Sequence, residues 1–147
     1  MKVVFLDIDG VLNATGVRYP EQEHPLDPLL LALVNRIGMA TGAVGVLTTT
    51  WRMLYPWPET RDILVRHGLT LPIVSETRDL WADGEEPERA RRREIEAWLA
   101  NHDADRYVIL DDLPVYADDH PCFVRTDESL RLTDADAGRA RMILGDA

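Results

Sequence analysis

An alternation of short β-rich apolar runs with helix-patterned stretches constrains the fold of this chain more than any other feature. Lys2–Leu6 is the first run and ends in acidic residues, and Gly10–Pro25, polar with Gly and Pro, reads as a loop. Asp27-Pro28 sets an N-cap residue before a proline suited to a first turn. Leu29, Leu30, Leu33, Val34 and Ile37 carry that helix to Gly38, which reads as its stop. A strand over Ala43–Leu47, a helix over Glu59–His67 ending at Gly68 and a short strand over Leu71–Val74 follow. Arg89–His102 is a helix with the stripe Ile95, Trp98 and Leu99, then come strands over Tyr107–Leu110 and Cys122–Val124. Thr133 caps the last helix, with Asp136 three residues on in a variant capping box. Strands that alternate with helices are joined by crossovers and build a mainly parallel sheet. The expectation is an α/β chain of three layers with a mainly parallel five-stranded sheet, forming a single domain over residues 1–147, a length sufficient for one core.

Composition narrows the function classes. Apolar residues make up 46% and charged residues 29% of the chain, the balance of a folded soluble protein. No apolar run approaches the roughly 20 residues that cross a bilayer, and Asp7 and Asp9 interrupt the first run too early for a signal peptide. The lone Cys122 excludes an internal disulfide and reads as a small buried strand residue. These features predict a cytoplasmic protein without membrane contact. The net charge of −10 argues against stable nucleic-acid binding, which is driven by cationic side chains, but not against a nucleic-acid end as substrate. Lys2 is the only lysine, so positive charge in any site must come from arginine.

In a parallel sheet, ligands bind beyond the carboxyl ends of the strands. Strand one ends in Asp7-Ile8-Asp9-Gly10, strand two in Thr48-Thr49-Thr50 and strand four in Asp111-Asp112. A single Asp pair after a strand is commonly a turn or a cap; three strands that deliver carboxylates and hydroxyls to one edge are a stronger signal. Like charges this close call for a cation. Hard oxygen donors suit Mg2+, and His24, His67, His102 and His120 show no metal spacing.

The segment VVFLDIDGVLN resembles motif I of the haloacid dehalogenase (HAD) superfamily, and VILDD resembles its motif IV in Asp-Asp form. TTTWR, the EIEAWL helix before VILDD, and FVRTD followed by LT resemble more closely the HAD domains associated with Swiss army knife RNA-repair proteins. The resemblance runs from residue 2 to about residue 144 and implies a Rossmann-like, HAD-like fold. It also implies a magnesium-dependent phosphatase acting through an aspartyl-phosphate. Asp7 would be the nucleophile and Asp9 the general acid and base; dehalogenase members lack that second Asp. The metal would be held by the Asp7 carboxylate, the Asp9 backbone carbonyl and Asp112, with Asp111 either a second ligand or an orienter of the first. Gly10 would let the chain turn close to the ligand. Thr49 would donate to the phosphoryl oxygens, with Thr48 and Thr50 as alternatives one residue away.

Motif III departs from the family pattern, which places a lysine there. Arg89, Arg91, Arg92 and Arg93 open the helix before strand four, and Arg91, four residues before Ile95, aligns best. Glu88/Arg92 and Arg92/Glu96 stand at i,i+4, so part of this cluster also reads as a solvated, salt-bridged face. Arg52 is a candidate for a second phosphate or for positioning the substrate, and Trp51 for stacking on a base, with packing the commoner role. Trp57 and Trp81 lie in loops and are further candidates to line the site. The segments between motifs leave room only for core elements, which predicts the absence of a substantial cap. An open site suits a polynucleotide end, a phosphoprotein or a nucleotide. The alternatives are a small-metabolite phosphatase and a non-catalytic phosphate-binding module. A receiver domain is a further rival, but it needs its phosphorylated Asp after strand three, where Ser75-Glu76 stands, and a lysine after strand five.

Overall fold

The computed structural model describes residues 1–13 and 25–147. The element order is β1 (Lys2–Leu6), α1 (Pro28–Thr41), β2 (Val44–Leu47), a 3-10 turn (Thr50–Met53), α2 (Trp57–Arg66), β3 (Ile73–Glu76), α3 (Pro87–Ala100), β4 (Arg106–Asp111), β5 (Phe123–Arg125) and α4 (Asp134–Leu144). The five strands form one sheet in the order β3-β2-β1-β4-β5, and every pairing is parallel. This is the doubly wound order of a Rossmann-like half, and it differs from the 2-1-3-4-5 order of a receiver domain.

β1 is central, and Val3, Val4, Phe5 and Leu6 are fully buried, as befits a parallel strand covered on both faces. Alternation divides them. Val4 and Leu6 join Leu31, Val34 and Ile37 of α1, Ile63 and Leu64 of α2, and Ala140 and Leu144 of α4. Val3 and Phe5 join Ile95 and Trp98 of α3, with Phe5 meeting Trp98 edge-to-face at 5.4 Å. Three layers result, with α1, α2 and α4 on one face and α3 on the other. Among the described residues, every element belongs to these layers or to the turns between them, and no cap domain is added.

The caps expected at Asp27 and Thr133 are present, the second as a full capping box with Asp136. Most boundaries differ from expectation by a residue or two: β2 begins at Val44, α2 runs Trp57–Arg66 and so takes Trp57 out of a loop, α3 runs Pro87–Ala100 and β4 runs Arg106–Asp111. The packing explains the differences at α1, β3 and β5. α1 runs through Gly38 and stops at Gly42, which adopts φ 73° and donates its N–H to the Gly38 carbonyl. Gly38 serves packing instead, since a Cβ there would lie 2.9 Å from Leu71 Cδ1. β3 begins at Ile73, because Leu71 packs against Gly38 and Gly45, and it extends to the half-buried polar pair Ser75-Glu76 on the sheet's edge. Cys122 lies just before β5 and is half-buried, its N–H held by His120 Nδ1. Most of the loop read over Gly10–Pro25, with His24, falls outside the described residues.

Candidate active site

The sheet grows from β1 in two directions, towards β2 and β3 on one side and β4 and β5 on the other. A crevice forms at the carboxyl end of such a switch point. Here the ladder continues just past the strands: Asp7 N–H donates to Leu110 O, Thr48 N–H to Leu6 O, Thr77 N–H to Leu47 O and Thr126 N–H to Asp111 O. Asp7, Thr48, Thr77, Asp111 and Thr126 therefore form a row along this edge, and all are buried.

Alternation selects which of them meet. Asp7 follows Phe5 by two residues and Asp111 follows Ile109 by two, so both take the α3 face. α3 runs antiparallel to the strands and brings its first turns to the same edge. From there Arg91, 6% exposed, places Nη1 2.5 Å from Asp111 Oδ2 and 3.5 Å from Asp7 Oδ2. Asp111 Oδ1 accepts the Leu113 N–H at 3.0 Å, so both oxygens of that carboxylate are engaged. Burial pushes the Asp7 carboxyl well above the usual carboxylate range; the neighbouring Asp111 and Asp112 add to this and Arg91 opposes it. Asp112 is pushed up to about 6, first by burial and then by Asp111. Burial works against the Arg91 charge, but Asp7 and Asp111 outweigh it and hold the guanidinium above its ordinary value.

Asp7, Asp111 and Asp112 each offer an oxygen within 4.8 Å of the others. One guanidinium against three clustered carboxylates leaves negative charge unbalanced, and a hard divalent cation fits that donor set. Gly10 makes the approach possible. It adopts φ +83°, and a Cβ on it would stand 2.4 Å from Asp112 Cγ and Oδ2.

Asp9 is exposed, and its carboxylate lies outside that group of three. Its Oδ1 accepts from Asn13 Nδ2 at 3.1 Å and from Trp51 Nε1 at 3.3 Å. The Gly10 N–H donates to Asn13 Oδ1, and the Thr126 hydroxyl donates to Gly10 O. The three threonines after β2 separate. Val46 faces the α3 side and Leu47 the α1 side, so Thr48 follows the first and Thr49 the second. Thr49 Oγ1 accepts the Trp51 N–H at 3.2 Å and caps the 3-10 turn. Thr48 Oγ1 is buried beside Asp7's strand end with no hydrogen-bond partner among the described residues. Thr50 opens the turn and is exposed.

A family model described as the HAD domain in Swiss Army Knife RNA repair proteins matches residues 3–137. The chain belongs to this family. No curated protein and no solved structure matches it. HAD domains generally use Mg2+ and act as hydrolases on phosphorylated substrates, and the carboxylates that this HAD chain brings together are of the kind such chemistry uses. No helix among the described residues is long and apolar enough to cross a membrane.

The remaining residues distribute around this HAD centre as follows. Arg52 Nη2 lies 2.7 Å from Glu94 Oε2 and 3.7 Å from Asp79, and its Nη1 donates to Thr77 Oγ1 at 3.3 Å. Glu94, 2% exposed, also accepts the Leu80 N–H. Arg52 thus braces the turn after β2 against α3. Within the arginine cluster, Arg92 donates to Val115 O and lies over the Tyr116 ring, in place of the i,i+4 pairs read from its spacing. Arg93 pairs with Glu85 on the surface, and Arg89 is exposed. Trp57 is half-buried against the core, and Trp81 is exposed with Nε1 on Glu85 O. His67 and His102 bond the helix carbonyls of Ile63 and Trp98. Beside Asp112 and Thr126 a groove of about 730 Å³ runs past Arg125, Ser129 and Arg139.

Sequence reasoning missed Asn13, Thr126 and Glu94. A signal existed for Glu94: it lies with Arg91 inside the buried stripe Ala90, Arg91, Glu94, Ile95, Trp98. Charges at stripe positions are those a helix turns inward. Asn13 and Thr126 act through single backbone and side-chain bonds that no periodicity announces.

Proposed function

We propose that this HAD chain is a magnesium-dependent phosphatase that works through an aspartyl-phosphate on Asp7. The observation that carries this reading is the convergence of Asp7, Asp112 and the Arg91–Asp111 pair at one sheet edge. Asp7 attacks phosphorus with a carboxylate oxygen. The bond to the leaving oxygen breaks, and Asp9 gives that oxygen its proton. Asp9 then takes a proton from water, the water attacks the same phosphorus, and inorganic phosphate and free Asp7 result. Mg2+ bound to Asp7, Asp112 and the Asp9 carbonyl would neutralise the phosphoryl charge and let an anionic nucleophile approach it. Arg91 supplies the positive charge that a lysine supplies elsewhere, and Asp111, which accepts from Arg91 and from the Leu113 N–H, holds Arg91 in place, with Asp112 the direct metal ligand of the pair. Thr48, on the Asp7 face with an unengaged hydroxyl, takes the phosphoryl hydrogen bond in preference to Thr49, which caps the turn. Arg52 positions the site from behind, through Glu94 and Thr77, and does not hold a second phosphate.

The substrate class is the terminal phosphate of a nucleotide or polynucleotide. The family's association with RNA repair and the open edge of the sheet favour it, and the net charge of −10 makes the contact transient. The test is a phosphatase panel with Mg2+ across nucleotides, phosphorylated oligonucleotides and sugar phosphates. Phosphorylated oligonucleotides or nucleotides should be the best substrates. Asp7→Asn should abolish turnover while the folded state, followed by circular dichroism, survives; near-wild-type turnover by this variant refutes the mechanism.

A further inference from the structure

Asp9 stands at an exposed edge, where core packing does not fix a side chain. Yet its proton transfer demands a set direction, and an ångström of misplacement in such a group is costly. Two N–H groups meet it there. Trp51, 5% exposed, is embedded in the cluster on the α1 face, with its ring tilted against Tyr55. A tryptophan held by packing has its N–H aimed by the same packing, and this one reaches Asp9 Oδ1 at 3.3 Å. Asn13 Nδ2 reaches the same oxygen at 3.1 Å. The orientation of that amide is determined, because the Gly10 N–H donates to Asn13 Oδ1 at 2.7 Å and so turns the NH2 group towards Asp9. Both donors converge on Oδ1, which leaves Oδ2 to carry the proton.

We propose that Trp51 and Asn13 are positioning residues that hold the Asp9 carboxylate so that Oδ2 addresses the leaving-group oxygen. This rests on the phosphatase reading above. The arrangement ties two strand ends together. Thr49 caps the turn that delivers Trp51 from β2, and Asn13 closes the turn that follows β1. Thr49 therefore has a reason to be a hydrogen-bonding residue even though it does not face Asp7.

Leaving-group chemistry separates positioning from mere packing. An alkoxide departs only with a proton, whereas p-nitrophenolate departs without one. kcat/KM reports events through cleavage of that bond and is blind to the later hydrolysis. The experiment measures kcat/KM with Mg2+ for p-nitrophenyl phosphate and glycerol phosphate in the full chain. The variants are Trp51→Phe, Asn13→Ala, the double variant and Asp9→Asn. The aryl-to-alkyl ratio should rise roughly tenfold or more in each single variant, and in the double variant it should approach that of Asp9→Asn. Trp98→Phe is the control, since it also removes a buried indole N–H, the one that donates to Ser75 Oγ, and it should leave the ratio unchanged. A uniform loss on both substrates, or an unchanged ratio, overturns the proposal. If Trp51→Phe does not fold, Asn13→Ala, whose side chain is only half-buried, decides alone. Where glycerol phosphate is not turned over, a nucleoside monophosphate serves as the alkyl substrate. A wild-type chain inactive on these substrates and on the whole phosphatase panel overturns the phosphatase reading, and this inference with it; an active chain with an unchanged ratio overturns the inference alone.

Discussion

The two acidic pairs of this site, Asp7 with Asp9 and Asp111 with Asp112, are each split between a closed half and an open half. Asp7 and Asp111 are buried on the α3 face and share Arg91. Asp9 is exposed and Asp112 half-buried, and what lies against them is an indole, an amide and a bare glycine. The closed half has its charge arranged by folding, before any ligand arrives. The open half is reachable from outside, and in the proposed reaction it meets a metal through Asp112 and a leaving group through Asp9, while Asp7 faces both halves. Arg91 counters Asp111 closely and Asp7 only in part, so the acidic cluster still calls for a cation.

This comparison breaks most visibly at Arg91. Arg91→Ala should lower kcat roughly a hundredfold, about 3 kcal/mol of transition-state stabilisation. It should also reduce folding stability by about 3–5 kcal/mol, because Asp111 stays buried without its partner. Arg91→Lys should recover much of the rate, since a point charge suffices. Arg93→Ala, on the surface against Glu85, should do neither. Steady-state kinetics and urea denaturation check all three; a silent Arg91→Ala beside a crippling Arg92→Ala would move the cation by one residue.

A second, smaller effect separates Asp111 from Asp112. Asp112→Ala should abolish measurable Mg2+ binding by calorimetry with little change in the urea midpoint. Asp111→Ala should do the reverse, lowering the midpoint while weakening Mg2+ by roughly ten- to a hundredfold, as loss of an outer-shell partner does. If Asp111→Ala loses all metal and keeps its stability, the assignment of the pair is inverted.

The smallest effect is one of pH. Asp7 and Asp112 both have carboxyls raised in the folded, metal-free chain, Asp112 to about 6. The folded state therefore holds more protons than the unfolded one between the ordinary carboxylate range and about pH 6. Metal-free stability should be highest below that window and decline as pH rises through it. Mg2+ requires the charged carboxylates, so the gain in Tm on adding Mg2+ to EDTA-treated protein should be larger at pH 7.5 than at pH 5. Equal gains at both values would mean that these groups do not change protonation in this range.

Much of this was legible in the chain itself. β1, the caps at Asp27 and Thr133 and the alternation of elements follow from local chemistry, and they emerge as read. Gly38 misled because a glycine near a helix end has two uses, and only the neighbouring Leu71 reveals which applies. Thr48 and Thr49 differ in face by the period-two rule, so the distinction was available once β2 was fixed at Val44–Leu47, one residue shorter than expected. The ties from Asn13 and Trp51 to Asp9 were not legible. The Trp51 tie crosses between strand ends far apart in sequence, the Asn13 tie closes a local turn, and both depend on angles that only the assembled turns define.

The strand order has a consequence for the chain as it leaves the ribosome. β1 emerges first, yet one of its two neighbours is β4, about a hundred residues later. Until Arg106–Asp111 is available, one side of β1 has no ladder partner, and Asp7 has neither Asp111 nor Arg91 in place beside it. Synthesis at roughly 5–20 residues per second keeps that edge open for some seconds. Nascent chains of this protein thus pass through an interval in which the central strand is an adhesive edge, and Asp7, the proposed nucleophile, gains Asp111 and Arg91 beside it only as the second half of the sheet forms.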